Sequence, residues 1–128
     1  MPSKITRYRL SGTTAADGSA TIQGDKVVRG KVLAILGDTD GLDNTADITI
    51  TTTDEPATQT ILSLTNVTAD ITVYPRRAAT DNANTDLVYA AGGEIVPVPY
   101  VVFSRLKCVV AQGGASKAFF IDVLVEEF

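Results

Sequence analysis

Apolar residues recur at every second position through much of this chain, and this period of two constrains the fold more than any other feature. In the segment KAFFIDVLVEEF, Phe119, Ile121, Val123 and Val125 share one face, and ADITITTT, TQTILSLT and RLKCVVAQ alternate in the same way. Such alternation is typical of half-buried β-strands, and the many threonine, valine and isoleucine residues agree by propensity. No long segment shows the apolar stripe of an amphipathic helix.

The breaks between the alternating runs are rich in glycine, aspartate, asparagine and proline, which favour turns. The rhythm of runs and breaks predicts an all-β chain: a single antiparallel β-sandwich, jelly-roll-like, with one domain over residues 1–128. Residues 1–11 are expected to be an N-terminal arm or an edge strand. About eight strands are predicted, at 4–11, 19–23, 26–37, 46–53, 58–66, 70–75, 104–112 and 117–127.

One stretch, residues 76–100, interrupts this rhythm and is predicted to be a long loop with room for a short strand at 83–90. It is rich in small residues, and Pro97 and Pro99 cannot donate ladder hydrogen bonds. A loop of this length in a compact domain is usually functional or partly disordered.

Catalysis is not expected, and neither is a cofactor or a metal. The chain has no histidine, which removes the usual proton shuttle and the commonest metal ligand. Ser104 and Cys108 are possible nucleophiles, but both lie in strand patterns without a base beside them. Cys108 alternates with Leu106 and Val110, which indicates a small core residue.

The acidic segment GDTDGLDN and the residues after it place Asp38, Asp40, Asp43 and Asp47 close together in the chain. Their spacing fails the EF-hand register, although a calcium loop of another kind stays open at 38–47. The simpler interpretation is a turn between two strands, because aspartate, asparagine and glycine supply turn geometry.

Charge is unevenly distributed along the chain, whose net charge is −4. Basic residues dominate the first 31 positions and acidic residues the middle, which suggests docking to complementary surfaces or simply solvated strand faces. Arginines beside aromatic residues in KITRYRL and TVYPRR are candidates for partner binding. The candidate residues are Lys4, Arg7, Tyr8, Arg9, Tyr74, Arg76 and Arg77.

Nucleic acid and membrane are not expected as partners. A basic, aromatic strand such as KITRYRL can bind single-stranded nucleic acid, but a pI near 4.6 argues against phosphate neutralisation. The N-terminal segment carries charges where a signal peptide needs an apolar run, and no window is apolar enough to span a bilayer.

Four segments in order carry a resemblance to a known family. They are ADITITTTDEPATQTILSLTNVTADITVYPR, LVYAAGGEIVPVPYVV, RLKCVVAQGG and KAFFIDVLVEEF. The chain from residue 31 to 127 resembles small virion structural proteins of tailed bacteriophages, of the capsid decoration or cement type. The threonine-rich strand at 48–53, the apolar strand at 60–64 and the aromatic–proline–arginine step at 74–77 match the family pattern. The step reads VYPRR here where relatives have YYPRV, so one aromatic residue is missing.

The resemblance implies a β-sandwich on a phage head, located on the capsid surface after assembly in the host bacterial cytoplasm. The implied partners are the major capsid protein and further copies of the chain. A homotrimer is expected because trimers match the local threefold sites of an icosahedral shell and closed symmetry is the rule for homo-oligomers. Alternatives remain: a head–tail connector or tail component, or a virion-appendage module that binds sugar or calcium through the 38–47 loop.

Overall fold

Every regular element in the structure, a computed structural model that describes residues 4–90 and 92–127, is a β-strand. Eleven strands lie in this part of the chain instead of about eight. Two short strands lie within residues 76–100, which were predicted as loop, and a third lies at Val101–Ser104, just before the strand predicted at 104–112. The strands are β1 (Lys4–Thr13), β2 (Ala20–Gln23), β3 (Val28–Asp38), β4 (Ala46–Thr52), β5 (Thr60–Val67), β6 (Ile71–Val73), β7 (Arg76–Ala78), β8 (Pro97–Pro99), β9 (Val101–Ser104), β10 (Leu106–Ala111) and β11 (Ala118–Glu127).

The strands form two larger antiparallel sheets, and this confirms the predicted β-sandwich. Sheet A has the order β1-β11-β3, and both β6 and β9 then pair with β3. Sheet B has the order β2-β10-β4-β5, while β7 and β8 pair separately. The inner faces of sheets A and B share one cluster of buried side chains, so the two layers enclose a common core.

The alternating positions of the sequence fill that core. Phe119, Ile121, Val123 and Val125 of β11 are all buried, as their spacing predicts. Cys108 has no exposed surface, and its burial raises the pKa of the thiol to about 12. The thiol is therefore protonated and inert at neutral pH, as expected of a small core residue.

Strand β1 is an edge strand of sheet A, not a detached arm. It pairs with β11 along its whole length, from Lys4 opposite Glu127 to Thr13 opposite Ala118. Its inward residues Tyr8 and Leu10 pack on the core. Removing residues 4–11 would uncover one side of β11 and part of the core, so the segment contributes to folding.

Strand β3 is the central strand of sheet A and serves two neighbours on one side. Its first half pairs with β9 and its second half with β6. Between them the register against β11 shifts at Leu124 and Val125, which leaves Leu33 as the extra residue of a β-bulge. Gly30 has φ near 151°, and a Cβ there would lie 2.1 Å from the carbonyl oxygen of Glu126.

The described residues of 76–100 form a projection whose ends are the short strands β7 and β8, and the residues between these strands keep the predicted long loop, held by its own hydrogen bonds. Its base is the β7–β8 pair, and we refer to residues 79–96 beyond it as the arm. Backbone hydrogen bonds hold the described arm residues together, including Ala79 N–H to Val96 O at 2.8 Å and Val96 N–H to Leu87 O at 3.1 Å. The short strand predicted at 83–90 is reduced to isolated bridges at Asp86 and Val88.

The arm lies outside the core, because none of its described residues is buried. Apolar arm residues therefore face solvent, and Tyr89 is 73% exposed. In the described part of the chain, no helix is long and apolar enough to cross a membrane.

Candidate interaction surfaces

The predicted partner-binding residues lie at opposite edges of sheet A. Lys4, Arg7, Tyr8 and Arg9 belong to β1 at one edge, whereas residues 74–77 leave β6 at the other. Strands β11 and β3 lie between the two edges, which places them three strand spacings apart, about 15 Å. One copy of the chain therefore does not combine them into a single site.

Arg9 is engaged within its own sheet. Its Nε donates to Asp122 Oδ1 at 2.8 Å and its Nη2 to Oδ2 at 3.0 Å. The guanidinium also lies over the ring of Phe120, 4.0 Å from the centroid, and Arg7 Nη1 approaches Asp122 at 3.7 Å. Because Asp122 is only 5% exposed, these arginines compensate a buried carboxylate on the outer face of the sheet.

Tyr8 faces inward and donates a hydrogen bond to Glu127 Oε1. Burial, together with this bond and the charge of Glu127, raises the pKa of Tyr8 to about 12. The ring lines a cleft of about 190 Å³ between β1 and the β2–β3 turn, beside Asp25 and Lys26. Tyr8 is therefore placed to pack and to hold Glu127, and its ring is not presented on the outer face with Arg7 and Arg9.

The residues of the aromatic–proline–arginine step have different surroundings. Arg76 Nη1 donates to Leu33 O at 3.1 Å and to Pro75 O at 2.8 Å. Arg76 thus satisfies the carbonyl of the β3 bulge and fixes the base of the arm. Tyr74 and Arg77 are exposed, and Tyr74 presents 64% of its surface to solvent.

A second group of exposed side chains, which sequence reasoning did not assign to a site, lies on the outer face of sheet A. Cross-strand register places Ile5, Glu126, Lys31 and Val101 in one row across four strands. Arg29 and Phe103 form the next pair, with the guanidinium 5.8 Å from the ring centroid. We define the basic patch as the six residues Ile5, Arg7, Arg29, Lys31, Val101 and Phe103. Glu126 lies in the same region but is not included.

Large apolar side chains in the basic patch are unusually exposed for a sheet face. Ile5 and Phe103 are each 62% exposed, and Val101 is 50% exposed. Clustered apolar exposure with surrounding charge is typical of protein interaction sites. The sequence signal was the alternation of Val101 to Ser104, in which Val102 and Ser104 face the core and leave the other two residues outside.

The other half of this face is a shallow groove of about 270 Å³. Leu36 lies opposite Asp122 on one side and Thr72 on the other, and Phe120 lies opposite Asp38. The groove continues the row that contains Arg9, so polar and apolar groups alternate along it.

The four aspartates of the 38–47 segment do not converge. Asp47 Oδ1 accepts a hydrogen bond from Asn66 N–H at 3.1 Å, and the carboxylate of Asp43 lies against Gly114. Only Asp38 and Asp40 come together, joined by Asp70 from the β5–β6 turn, with their oxygens within 4.8 Å of one another. Sequence spacing alone did not reveal Asp70 as a member of this cluster.

Asp70 serves the loop as a cap. Its Oδ1 accepts hydrogen bonds from the backbone N–H groups of Thr39 and Asp40, both at 3.1 Å. Burial, followed by the charges of Asp70 and Asp40, raises the pKa of Asp38. The buried Leu42 anchors the same loop in the core. These contacts support the interpretation of the segment as a turn between β3 and β4.

Ser104 is committed to structure as well. Its hydroxyl accepts hydrogen bonds from Thr53 N–H at 2.9 Å and Asp54 N–H at 2.8 Å, and donates to Arg105 O at 2.7 Å. The neighbouring Asp54 receives two guanidinium bonds from Arg105, both at 2.9 Å, and these lower the pKa of Asp54 to about 2. This network joins the β4–β5 turn to the β9–β10 turn.

No protein-family model and no curated protein sequence matches the chain. Its surfaces therefore carry the functional argument. They offer an exposed apolar and basic patch, a shallow groove and a projecting arm. Such features are suited to association with other proteins.

Proposed function

We propose that the protein is a structural component of a tailed-phage head that decorates the capsid and stabilises it across neighbouring major capsid subunits. The observation that carries the proposal is the exposure of large apolar residues over one outer face of the sandwich, with Leu36 36% exposed in the groove and Ile5 and Phe103 each 62% exposed in the basic patch. The resemblance of residues 31–127 to small virion proteins supports the same function.

The chemistry of the proposed contact is burial of surface. In the described part of the chain, Ser104 and Cys108 have structural roles. A decoration protein acts by forming an interface, which needs neither a nucleophile nor a cofactor. Apolar groups rimmed by arginine and lysine provide area and orientation for such an interface. Many copies on a repeating shell then multiply weak individual contacts through avidity.

Within this proposal, the groove half of sheet A contacts the capsid. Thr72 lies at the rim of the groove on the edge strand β6, where its side chain is exposed and does not pack in the core. The copies are proposed to associate as a homotrimer on the capsid surface, after assembly in the host cytoplasm.

The test is co-sedimentation of the purified protein with capsids stripped of it. We expect saturable binding at hundreds of copies per particle, because a decoration protein repeats with the capsid lattice. A plateau of a dozen copies or fewer would favour a connector, vertex or appendage component. Absence of binding would overturn the decoration function.

A matched pair of variants locates the contact. Thr72→Arg places bulk and charge across the groove and is expected to weaken capsid binding. Ser63→Arg makes a comparable change at an exposed position of the edge strand β5 in sheet B and is expected to bind like the wild type. Equal binding by both variants would remove the groove from the proposal.

A further inference from the structure

We propose that the arm of one copy docks on the basic patch of a second copy, so that copies associate head to tail. The inference deepens the proposed function, because it names the surfaces that join neighbouring copies. It concerns the free protein, however, and does not depend on capsids.

Charge complementarity identifies the occupant of the basic patch. Residues 79–96 contain three acidic residues, Asp81, Asp86 and Glu94, and no lysine or arginine. The basic patch contains three basic residues, with Glu126 in the same row. Opposite charges on two surfaces steer association and fix its register.

Both surfaces also carry exposed apolar groups that one contact would bury. On the arm, Leu87, Val88, Tyr89 and Ile95 are between 40% and 73% exposed. On the patch, Ile5, Val101 and Phe103 are between 50% and 62% exposed. A rigid tyrosine with large apolar neighbours is typical of the centre of a protein interface.

The placement of the two surfaces favours a contact between copies. The arm leaves sheet A at the β6–β9 edge, whereas the patch extends across the sheet to β1 at the far edge. Within one chain the arm leaves the patch uncovered, because Val101 and Phe103 remain exposed.

Joining two different surfaces gives a heterologous contact, which either closes into a ring or continues as a chain. The arm base is fixed by Arg76 at the β3 bulge, which limits the directions in which the arm can point. A constrained arm favours one repeat angle, and the homotrimer proposed above requires that this angle closes after three copies.

Charge reversal tests the contact in the free protein by analytical ultracentrifugation at low and high salt. The patch variant is Arg29→Glu with Lys31→Glu, and the arm variant is Asp86→Lys with Glu94→Lys. Asp81 is left unchanged because its carboxylate accepts hydrogen bonds from Ala83 N–H and Thr85 N–H in the arm turn. Lys107→Glu on the outer face of sheet B is the control.

We expect the wild type and the control to form the same oligomer, weakened by salt, and each reversed variant to dissociate at concentrations at least about tenfold higher. Combining all four reversals in one chain should restore the oligomer, since the charges are then exchanged between the surfaces. Circular dichroism establishes that each variant keeps its β-sheet content.

A monomeric wild type would overturn the inference, and so would a wild-type oligomer that neither reversal weakens. Loss of the oligomer without recovery in the fourfold variant would also contradict docking between these two surfaces. Capsid binding by a monomeric protein would leave the decoration function intact, whereas an oligomer that ignores capsids would remove that function and keep the arm contact.

Discussion

The outer faces of the two sheets differ in side-chain composition, although both are exposed to solvent in the single chain. On sheet B, the cross-strand rows are mostly uncharged and polar: Gln23, Lys107, Thr51 and Thr60 form one, and Thr21, Val109, Thr49 and Ser63 form the next. On sheet A, the corresponding rows carry arginine, aspartate, leucine, valine and phenylalanine. Threonine-rich rows are typical of strand faces exposed to solvent, whereas clustered exposed phenylalanine and isoleucine are typical of interaction sites, as the proposed contacts require.

The two faces also differ in what holds them. Sheet A depends on a buried carboxylate, Asp122, and on the close backbone approach at Gly30. The outer residues of sheet B make no comparable demand, since Thr49 and Ser63 simply face each other across β4 and β5. Sequence changes on sheet A should therefore cost stability as well as binding.

The largest expected effect is that of Gly30→Ala. Its Cβ would lie 2.1 Å from Glu126 O, and the φ of 151° is unfavourable for alanine, so β3 and β11 must separate locally. We expect a loss of several kcal/mol in the free energy of unfolding, roughly the range of strained core substitutions. Urea denaturation measures it, and Gly41→Ala, whose nearest contact would be 3.5 Å from Ala118 O, is the control. Equal stability of the two variants would contradict the described β3–β11 approach.

Next in size is Arg9→Ala, which leaves the carboxylate of Asp122 without its bidentate partner. A buried acceptor without its partner costs about 1–3 kcal/mol, and Arg7 at 3.7 Å compensates only in part. Asp122→Asn should cost less than Arg9→Ala, because it removes the buried charge and leaves the exposed arginine in water. Thermal unfolding of both variants decides the order, and the reverse order would argue that the pair is not buried in solution. Thr49→Ala on sheet B should change stability by at most about 0.5 kcal/mol.

A smaller expected effect is a loss of stability at high pH, which tests the contact between Tyr8 and Glu127 in sheet A. The pKa of Tyr8 is raised to about 12 in the folded chain, so its contribution to stability is present below pH 10 and is lost as the pH rises through about 12. In this pH range, the free energy of unfolding measured with urea should therefore fall more for the wild type than for Tyr8→Phe. Parallel curves for the two proteins would show that the contact with Glu127 contributes nothing.

The opposite pH limit tests the turn network beside sheet B. Arg105 lowers the pKa of Asp54 to about 2, so the stability from this pair is present above the unfolded pKa of about 3.8 and is lost as the pH falls through about 2. Asp54→Asn should remove this acid dependence, which urea unfolding between pH 5 and 2 would reveal. An unchanged acid profile in the variant would assign the dependence to other carboxylates.

The smallest expected effect is that of calcium. Because Asp70 is committed to capping the loop backbone, calcium or a chelator should leave the melting temperature unchanged. An increase with calcium that disappears in Asp38→Asn would instead support the appendage alternative at the acidic cluster.

The sandwich was predictable because a period of two directly reports which residues face the core. The alternation placed Phe119, Ile121, Val123 and Val125 correctly, and it identified Cys108 as a core residue. The alternation of TQTILSLT breaks at Ile61, which is buried together with Leu62, because the β4–β5 register shifts between Ile50 and Thr51.

The interaction surfaces were less predictable because they depend on strand order. Nothing in the linear sequence brings Ile5 into the row of Lys31 and Val101, since β11 must first insert between β1 and β3. The internal hydrogen bonding of the arm was not predictable for a related reason. Its hydrogen bonds connect residues such as Ala79, Leu87 and Val96 without a regular alternation.

The fully buried Cys108 provides an internal probe of how often the folded chain opens. A thiol reagent in solution can reach the sulfur only when sheet B separates from sheet A, because the side chain has no exposed surface in the folded state. The labelling rate therefore reports how often the sandwich opens as a whole. A partner that holds the two layers together should slow the labelling of Cys108 without contacting the cysteine, whether that partner is a neighbouring copy or a shell of other subunits.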